Sequence, residues 1–520
     1  MTISRWRAPR EDGATLVVPA WQHLPDLIAE NQRNIQQFSL RWKDRSLAEV
    51  RQLAWDGLNT ELARWARELG WSSPTLKRPL IVTGHQPELF HPGVWAKNVA
   101  ISKLAKDLNG SSFNINVDSD VAKSTTLKIP TIDSEGYDET FRFSDAKPPL
   151  PYEEWQCEDE ASFSQLPDLI QPVVSKWPWQ PVLPSFWHSA IEAKRFTKNL
   201  PERWIIARRA WENAHDITNH ELTMSRWCQT EFFGWLVNQF VAEHARFASI
   251  YNEELHAYRK EHRIRSVNHP VADLLVTSDL IELPFWVWQT GTTQRGRLCA
   301  RTKQGQSQLV SVIAGKETVI TENSALSTEH LLLWKIRPKA LITSMMFRLF
   351  LSDLFVHGIG GAIYDELTDR IFARFWNVKL PGFAIVTATM RLPWHRQPVT
   401  EDDPRQLRQT LRSLYWNPDR FLTSSIDSEA LDLKKQKQHL MTTTGELERL
   451  SERHHQYELI RTQLAPYVAN EQHRIDETLI LTLHQLKRDE HHFSREHPWV
   501  LYPEHELTSL SQAFSSSSGS

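Results

Sequence analysis

The sequence lacks most of what would tie it to a membrane, an oxidising compartment or a nucleic acid. It contains three cysteines, and Cys157, Cys228 and Cys299 stand far apart without C-x-x-C spacing, which excludes a disulfide scaffold and a zinc ribbon. No stretch reaches the roughly 18 uncharged apolar residues of a membrane helix, and Met1-Thr2-Ile3-Ser4-Arg5-Trp6 has no apolar h-region of a secretory signal. Charge of one sign is lacking too. The 60 Lys and Arg against 63 Asp and Glu leave a net charge of -3, too weak a field to gather nucleic acid or anionic lipid. The expectation is a cytoplasmic protein that binds neither nucleic acid nor membrane and takes a small-molecule substrate at a local site. Also missing are a P-loop, a full G-x-G-x-x-G fingerprint, a G-x-S-x-G elbow, an H-E-x-x-H helix and the kinase set.

What is present is ordinary core-forming material. Hydrophobic residues make up 40% and charged residues 24%, which excludes wholesale disorder. At 520 residues the chain exceeds the roughly 250–300 at which single cores stop growing, so two or three domains are expected. The 22 Trp suit pocket walls and domain contacts but assign no function by themselves.

Ser46 to Leu69 carries apolar residues at helical spacing and is stopped by Gly70 and Ser72-Ser73-Pro74. Arg78 to Gly84 reads as a short buried strand. A helix from Pro92 to Leu108 and a second strand, Phe113 to Val117, follow, giving the β-loop-α-β order of a parallel sheet. A similar unit recurs downstream: strand Asp353 to Val356, glycine-rich turn His357 to Gly361, helix Ala362 to Trp376 and strand Phe383 to Thr387. The expected fold class is α/β: a split Rossmann-like parallel-sheet core with a mixed α+β insertion and a C-terminal helical coiled-coil hairpin. Residues 1–75 form an N-terminal helical segment, 76–150 and 335–395 the two parts of the core, and 151–334 the insertion. Residues 396–497 form the coiled coil, with Leu431, Leu440, Leu447, Leu450 and Leu459 on one arm, Ile475, Leu479, Leu483 and Leu486 on the other, and the turn near Pro466. A homodimer through this hairpin is one use of it. Residues 498–520 are a closing segment with a frayed serine tail.

Four places can carry chemistry. Gly84 to Gly93 joins a strand end to a helix start, where open parallel sheets bind ligands and helix N–H groups attract anions. There His85 and Gln86 are candidate catalytic groups, and Thr83, Gly84, His91 and Lys97 candidate binding groups. Asp118 and Asp120, two residues apart, fall on one face if the strand continues. They can act catalytically, holding a hydroxyl, an ammonium or Mg2+, or cap a helix. His357, Gly358, Gly360 and Gly361, with Tyr364, suit backbone contact with phosphate because glycine permits close approach and positive φ, while Asp365 also suits the helix dipole. Lys335-Ile336-Arg337-Pro338-Lys339 either supplies cations to the pocket, Arg337 among them, or is a linker. His215-Asp216 and His220-Glu221 look like a metal cluster but lack a third soft ligand, so no metal site is assigned.

Three places in the chain resemble the bacillithiol-synthesis cysteine-adding enzymes, the BshC family. Thr83-Gly84-His85-Gln86-Pro87-x-Leu89-Phe90 is similar to that family's T-G-Q-Q-x-x-L-F turn, with the Lys97 helix at similar distance. Leu332 to Pro338, then Leu354 to Tyr364 with Gly360-Gly361, resembles its L-L-R-P segment and G-G turn, and the long C-terminal helices with Pro503 resemble its coiled coil and closing segment. The resemblance implies a Rossmann-like core split by connecting-peptide insertions, and ligation of cysteine to glucosaminyl-malate. The chain departs from the family at His85, where the family has Gln, and at Asp118-Ser119-Asp120-Val121, where it has E-D-H-D. The expected function is therefore a cysteine or other amino-acid ligase acting on an amino-sugar conjugate, with ATP or another nucleotide and Mg2+. A nucleotidyltransferase or glycosyl-type transferase on the same core and a non-catalytic helical scaffold are the alternatives.

Overall fold

The computed structural model describes residues 6–514 apart from 44, 133–137, 148, 267, 304–305, 322–325, 327, 396–397, 423–426 and 443–449. The serine tail, Pro148 and Leu447 lie outside the described residues. The chain forms two compact units, one running to Leu392 and resuming at Arg495, the other over Pro393–Ser494.

In chain order the first unit holds strands β1 (Thr15–Val18), β2 (Leu80–His85), β3 (Ser111–Asn116), β4 (Thr126–Pro130), β5 (Asp138–Arg142) and β6 (His220–Thr223). It continues with β7 (Ile281–Gln289), β8 (Gly296–Lys303), β9 (Gln306–Ile313), β10 (Lys316–Thr321), β11 (Trp334–Pro338), β12 (Leu354–His357) and β13 (Phe383–Ala388). Six of them make the main sheet in the order β1-β13-β12-β2-β3-β6. All neighbours are parallel except β1, which runs antiparallel along β13. The chain winds outward from β2 through β3 to β6, then returns to lay β12 on the other side of β2 and β13 beyond it. The winding direction therefore reverses between β2 and β12.

The strands expected in the core pair as expected, and two were missed. β1 lies in a segment read as mainly helical, and β6 lies in the stretch assigned to the insertion. Both are four-residue edge strands, too short to stand out as a periodic pattern. The inner strand β2 is apolar on both sides, with Leu80, Ile81 and Val82 fully buried, as a parallel sheet covered on both faces requires, while β3 alternates Phe113 and Ile115 with buried Asn114 and Asn116. Helix Pro92–Asp107 packs on β2, β3 and β13, and helix Ala340–Phe350 packs on β12. The latter is buried nearly all round, hence its run of Leu, Ile, Met and Phe. Within that core the Phe347 ring packs 6.1 Å from Phe113 and 5.5 Å from Trp227.

The second sheet, β10-β9-β8-β7-β11, is antiparallel. Its β11 is the segment 335–338 that sequence left open as a linker. Pairing with β7, Arg337 opposite Trp286, makes it a strand.

The second unit contains helices Asp402–Trp416, Ser428–Thr442 and Leu450–His492. The turn expected near Pro466 is not there: Pro466 lies inside the 43-residue last helix. Apolar anchors on both sides of it, Ile460 and Leu464 before and Val468 and Ile475 after, pack against the two shorter helices and offset the roughly 3 kcal/mol of an interior proline. No helix among the described residues is long and apolar enough to cross a membrane.

Candidate functional site

A cavity of about 460 Å³ lies at the carboxyl ends of the parallel strands. It opens where the winding reverses, the place where ligands bind in sheets of this kind. Its walls come from the turn after β2 (Gly84, His85, Gln86), the loop after β3 (Ser119, Asp120), the end of β12 with the helix behind it (His357, Gly361, Tyr364, Asp365), and the start of helix Ala340–Phe350. Trp286, Arg295 and Lys339 close it from the second sheet.

The turn after β2 is held mostly by its own hydrogen bonds. Thr83 Oγ1 donates to the Val356 carbonyl at 2.8 Å, and the Lys97 ammonium donates to the Gly84 carbonyl at 2.7 Å. Burial brings Lys97 down to about 8. Gly84 is glycine because β2 and β3 approach closely: a Cβ there would lie 2.7 Å from Ile115 Cγ2. His91 caps helix Pro92–Asp107 by accepting from the Gly93 N–H at 3.1 Å, and its other nitrogen faces Glu496 at 3.4 Å. It is a cap outside the cavity, not the second histidine of a convergent pair, and burial pushes it down to about 4.

His85 lines the cavity, yet both of its nitrogens are engaged. Nδ1 lies 3.0 Å from the Gln86 carbonyl, an acceptor only, so this nitrogen carries the proton. Nε2 then accepts from Asn114 Nδ2 at 3.1 Å, with Asn98 Oδ1 3.2 Å away. Burial, then the charges of Arg208 and Lys97, hold the imidazole well below its ordinary range, so it is neutral. Beneath it Asn98 donates to Glu212, whose carboxylate is paired with Arg208, itself bound to Glu221. His85 is thus a buried brace rather than a free acid or base, and Gln86 alone of that turn reaches out, its amide donating to Asp120 Oδ2 at 3.1 Å.

The two aspartates after β3 do not share a face. The strand ends at Asn116 and a turn follows, the Asp118 N–H donating to the Asn116 carbonyl, so the two-residue alternation stops before it reaches them. Asp120 faces the cavity, within 3.6 Å of Arg295. Asp118 turns into a separate polar cavity of about 410 Å³, where Ser225 donates to it through backbone and hydroxyl. Burial and the neighbouring Glu153 charge raise the Asp118 carboxyl to about 7. Arg337 belongs to that second cavity as well, bound through Nε and Nη2 to Glu153 at 2.8 Å each. Of the basic segment 335–339, Pro338 and Lys339 line the first cavity, Lys339 paired with Glu282 at 2.5 Å; Lys335 is paired with Glu154 at 2.5 Å.

The turn after β12 differs from expectation in its glycines. Gly358 has φ -81 and caps helix Ile359–Phe375 without a side-chain bond, and neither Gly358 nor Gly360 has an atom within 4 Å of a Cβ placed on it. Positive φ occurs at neither. Only Gly361 is crowded, and by one atom: its Cβ would sit 2.8 Å from His357 Nδ1. His357 Nε2 meets Asp365 Oδ2 at 2.7 Å, and Arg348 binds the same oxygen at 2.8 Å. Ser344 donates to the other carboxylate oxygen. Burial alone would raise Asp365, but its contacts with His357 and Arg348 outweigh it and hold the carboxyl well below the usual range. Asp365 is thus more than a dipole partner of its helix. Tyr364 lines the same cavity.

Sequence reasoning missed Trp286 and Arg295. The Arg295 guanidinium and the Lys339 ammonium each lie 4.6 Å from the Trp286 ring centroid, and Arg295 also donates to the Ser119 carbonyl at 2.7 Å. Nothing local marks them, because they come from a strand and turn of the other sheet, joined to the site only by tertiary structure. No protein-family model and no curated protein matches the chain.

Proposed function

We propose that this chain is an enzyme that forms a C–N bond by activating a carboxylate with a nucleotide, the split core being Rossmann-like and the cavity at the winding reversal being its reaction site. One observation carries this reading: three strand-end segments, two helix starts without side-chain caps, and two cations converge on a single cavity. Helix N-termini of this kind attract phosphate oxygens, Arg295, 3.6 Å from Asp120, and Lys339, paired with Glu282, bring two cations to the wall, and Trp286 offers an aromatic wall. The volume lies within the range of roughly 300–1,000 Å³ typical of small-molecule sites. Because the His85 and Gly361 turns line the same cavity, the separation that would favour a mere scaffold is absent.

The BshC-like motifs favour an amino acid, cysteine first, as the group joined to an amino-sugar conjugate, with ATP and Mg2+ as the activating pair. The test is thermal unfolding with ATP, ADP and AMP, each with Mg2+. A nucleotide at about 100 times its Kd stabilises by about 2.7 kcal/mol, and Arg295→Ala with Lys339→Ala should remove that gain. No response to any of the three contradicts the reading. Product mass, cysteinylated against adenylated or sugar-linked, separates the ligase from a transferase. Profiling low-molecular-weight thiols in cells with and without the gene tests the substrate.

A further inference from the structure

His357 and His85 both line the cavity, and only His357 keeps a ring nitrogen without a hydrogen-bond partner among the described residues. Its side chain is 92% buried, being 8% exposed, with Phe355 and Phe383 rings 4.6 and 5.0 Å away. The Asp365 carboxylate is acceptor-only when ionised, so the proton it faces must sit on Nε2, and Nδ1 is the ring nitrogen left without a partner. The charged groups around this pair are Arg348, which binds Asp365, and Asp369, which binds Arg348 at 2.8 Å. Nδ1 is the atom that a side chain at position 361 would cover, so the glycine leaves that nitrogen open at the cavity wall.

We infer that His357 is the general base of this site, with Asp365 as its positioning residue. The inference rests on the carboxylate-activation reading for the identity of the step. An amine R–NH2 attacks the carbonyl carbon of an acyl–phosphoric mixed anhydride made from the carboxylate and ATP. The N–C bond forms, the C–O bond to phosphorus-bound oxygen breaks with its electron pair leaving on the phosphate, and the amine proton passes to His357 Nδ1 and then to water. An imidazole held in one tautomer by a carboxylate is suited to this transfer.

The experiment uses the full chain. Limited diethylpyrocarbonate treatment, read by peptide mass, should modify His357 in the wild type, spare His85, and lose the His357 adduct in Gly361→Ala. His357→Gln, in which the amide can still donate to Asp365, should lower kcat by about 100-fold or more for ATP-dependent phosphate or AMP release with cysteine and glucosaminyl-malate, with KM and the nucleotide thermal shift unchanged. Imidazole added to His357→Ala should restore part of the rate. A His357 that resists the reagent in the wild type, or a His357→Gln kcat within threefold of wild type, overturns the inference. If the wild type shows no nucleotide shift while His357 reacts and Gly361→Ala protects it, carboxylate activation fails and the open base stands.

Discussion

The turn after β2 and the turn after β12 end neighbouring parallel strands, each carries a histidine beside glycine, and both histidines are buried, at 6% and 7% exposure. Burial therefore cannot tell them apart, and their partners do. His85 donates from Nδ1 and accepts at Nε2, so its ring is used up in bracing β2 against β3 and helix Pro92–Asp107. His357 donates from Nε2 to a carboxylate and keeps Nδ1 for the cavity. The two rings hold opposite tautomers. A histidine at a strand's carboxyl end is thus a reactive group or a brace according to whether the fold consumes its second nitrogen.

Substitutions that break this contrast should differ in size and in readout. The largest loss of stability is expected from Asp365→Ala, which takes from the buried Arg348 one of its two carboxylates, leaves His357 Nε2 and Ser344 without their acceptor, and should cost about 3 kcal/mol in denaturant unfolding. Asp120→Ala, at a side chain 38% exposed, should cost under about 1 kcal/mol. His85→Ala comes next: it leaves the Asn114 amide and the Gln86 carbonyl short of partners and should cost about 2–3 kcal/mol. A loss of turnover at unchanged stability there would merge the two histidines into one role. Gly361→Ala should close Nδ1 and cost about 1–3 kcal/mol, because its Cβ would sit 2.8 Å from the Nδ1 of a ring held by Asp365 and two Phe rings, which outweighs the gain of alanine in a helix.

Asp118 sharpens the comparison through pH. Its folded carboxyl sits at about 7 against an ordinary 3.8, so the folded state holds this proton more tightly than the unfolded chain. That contribution is complete below the unfolded value and is lost as pH rises through about 7. Asp118→Asn cannot ionise, and its Tm relative to wild type should be higher at pH 8 than at pH 5 by about 2 °C or more. An equal offset at both values would remove Asp118 from the buried, proton-holding role. The smallest effect is expected from Gln86→Ala, within about 0.5 kcal/mol in stability, since its side chain bridges to Asp120 rather than to the core.

Much of the main sheet was legible because β2, β12 and β13 are short apolar runs, a pattern set by burial on both faces, and β3 alternates Phe113 and Ile115 with polar residues. The edge strands β1 and β6 were not, because four residues carry no usable period. In the site, the two turns could be read from glycine and histidine at strand ends, but their roles could not. The partners of His85 come from β3 and helix Pro92–Asp107, and the distinction between Asp118 and Asp120 depends on a strand ending one turn early. Arg295 and Trp286 reach the cavity through the second sheet, a contact with no local signature. Pro466 shows the opposite error: a strong local signal for a break was overridden by packing along its helix.

The fold spends one histidine and keeps the other. Long-range 1H–15N spectra of histidine-labelled protein at neutral pH, assigned with His85→Gln and His357→Gln, report which ring nitrogen carries the proton. The expected result is Nδ1–H for His85 and Nε2–H with a bare Nδ1 for His357. The same tautomer at both positions, or a protonated Nδ1 on His357, would contradict it.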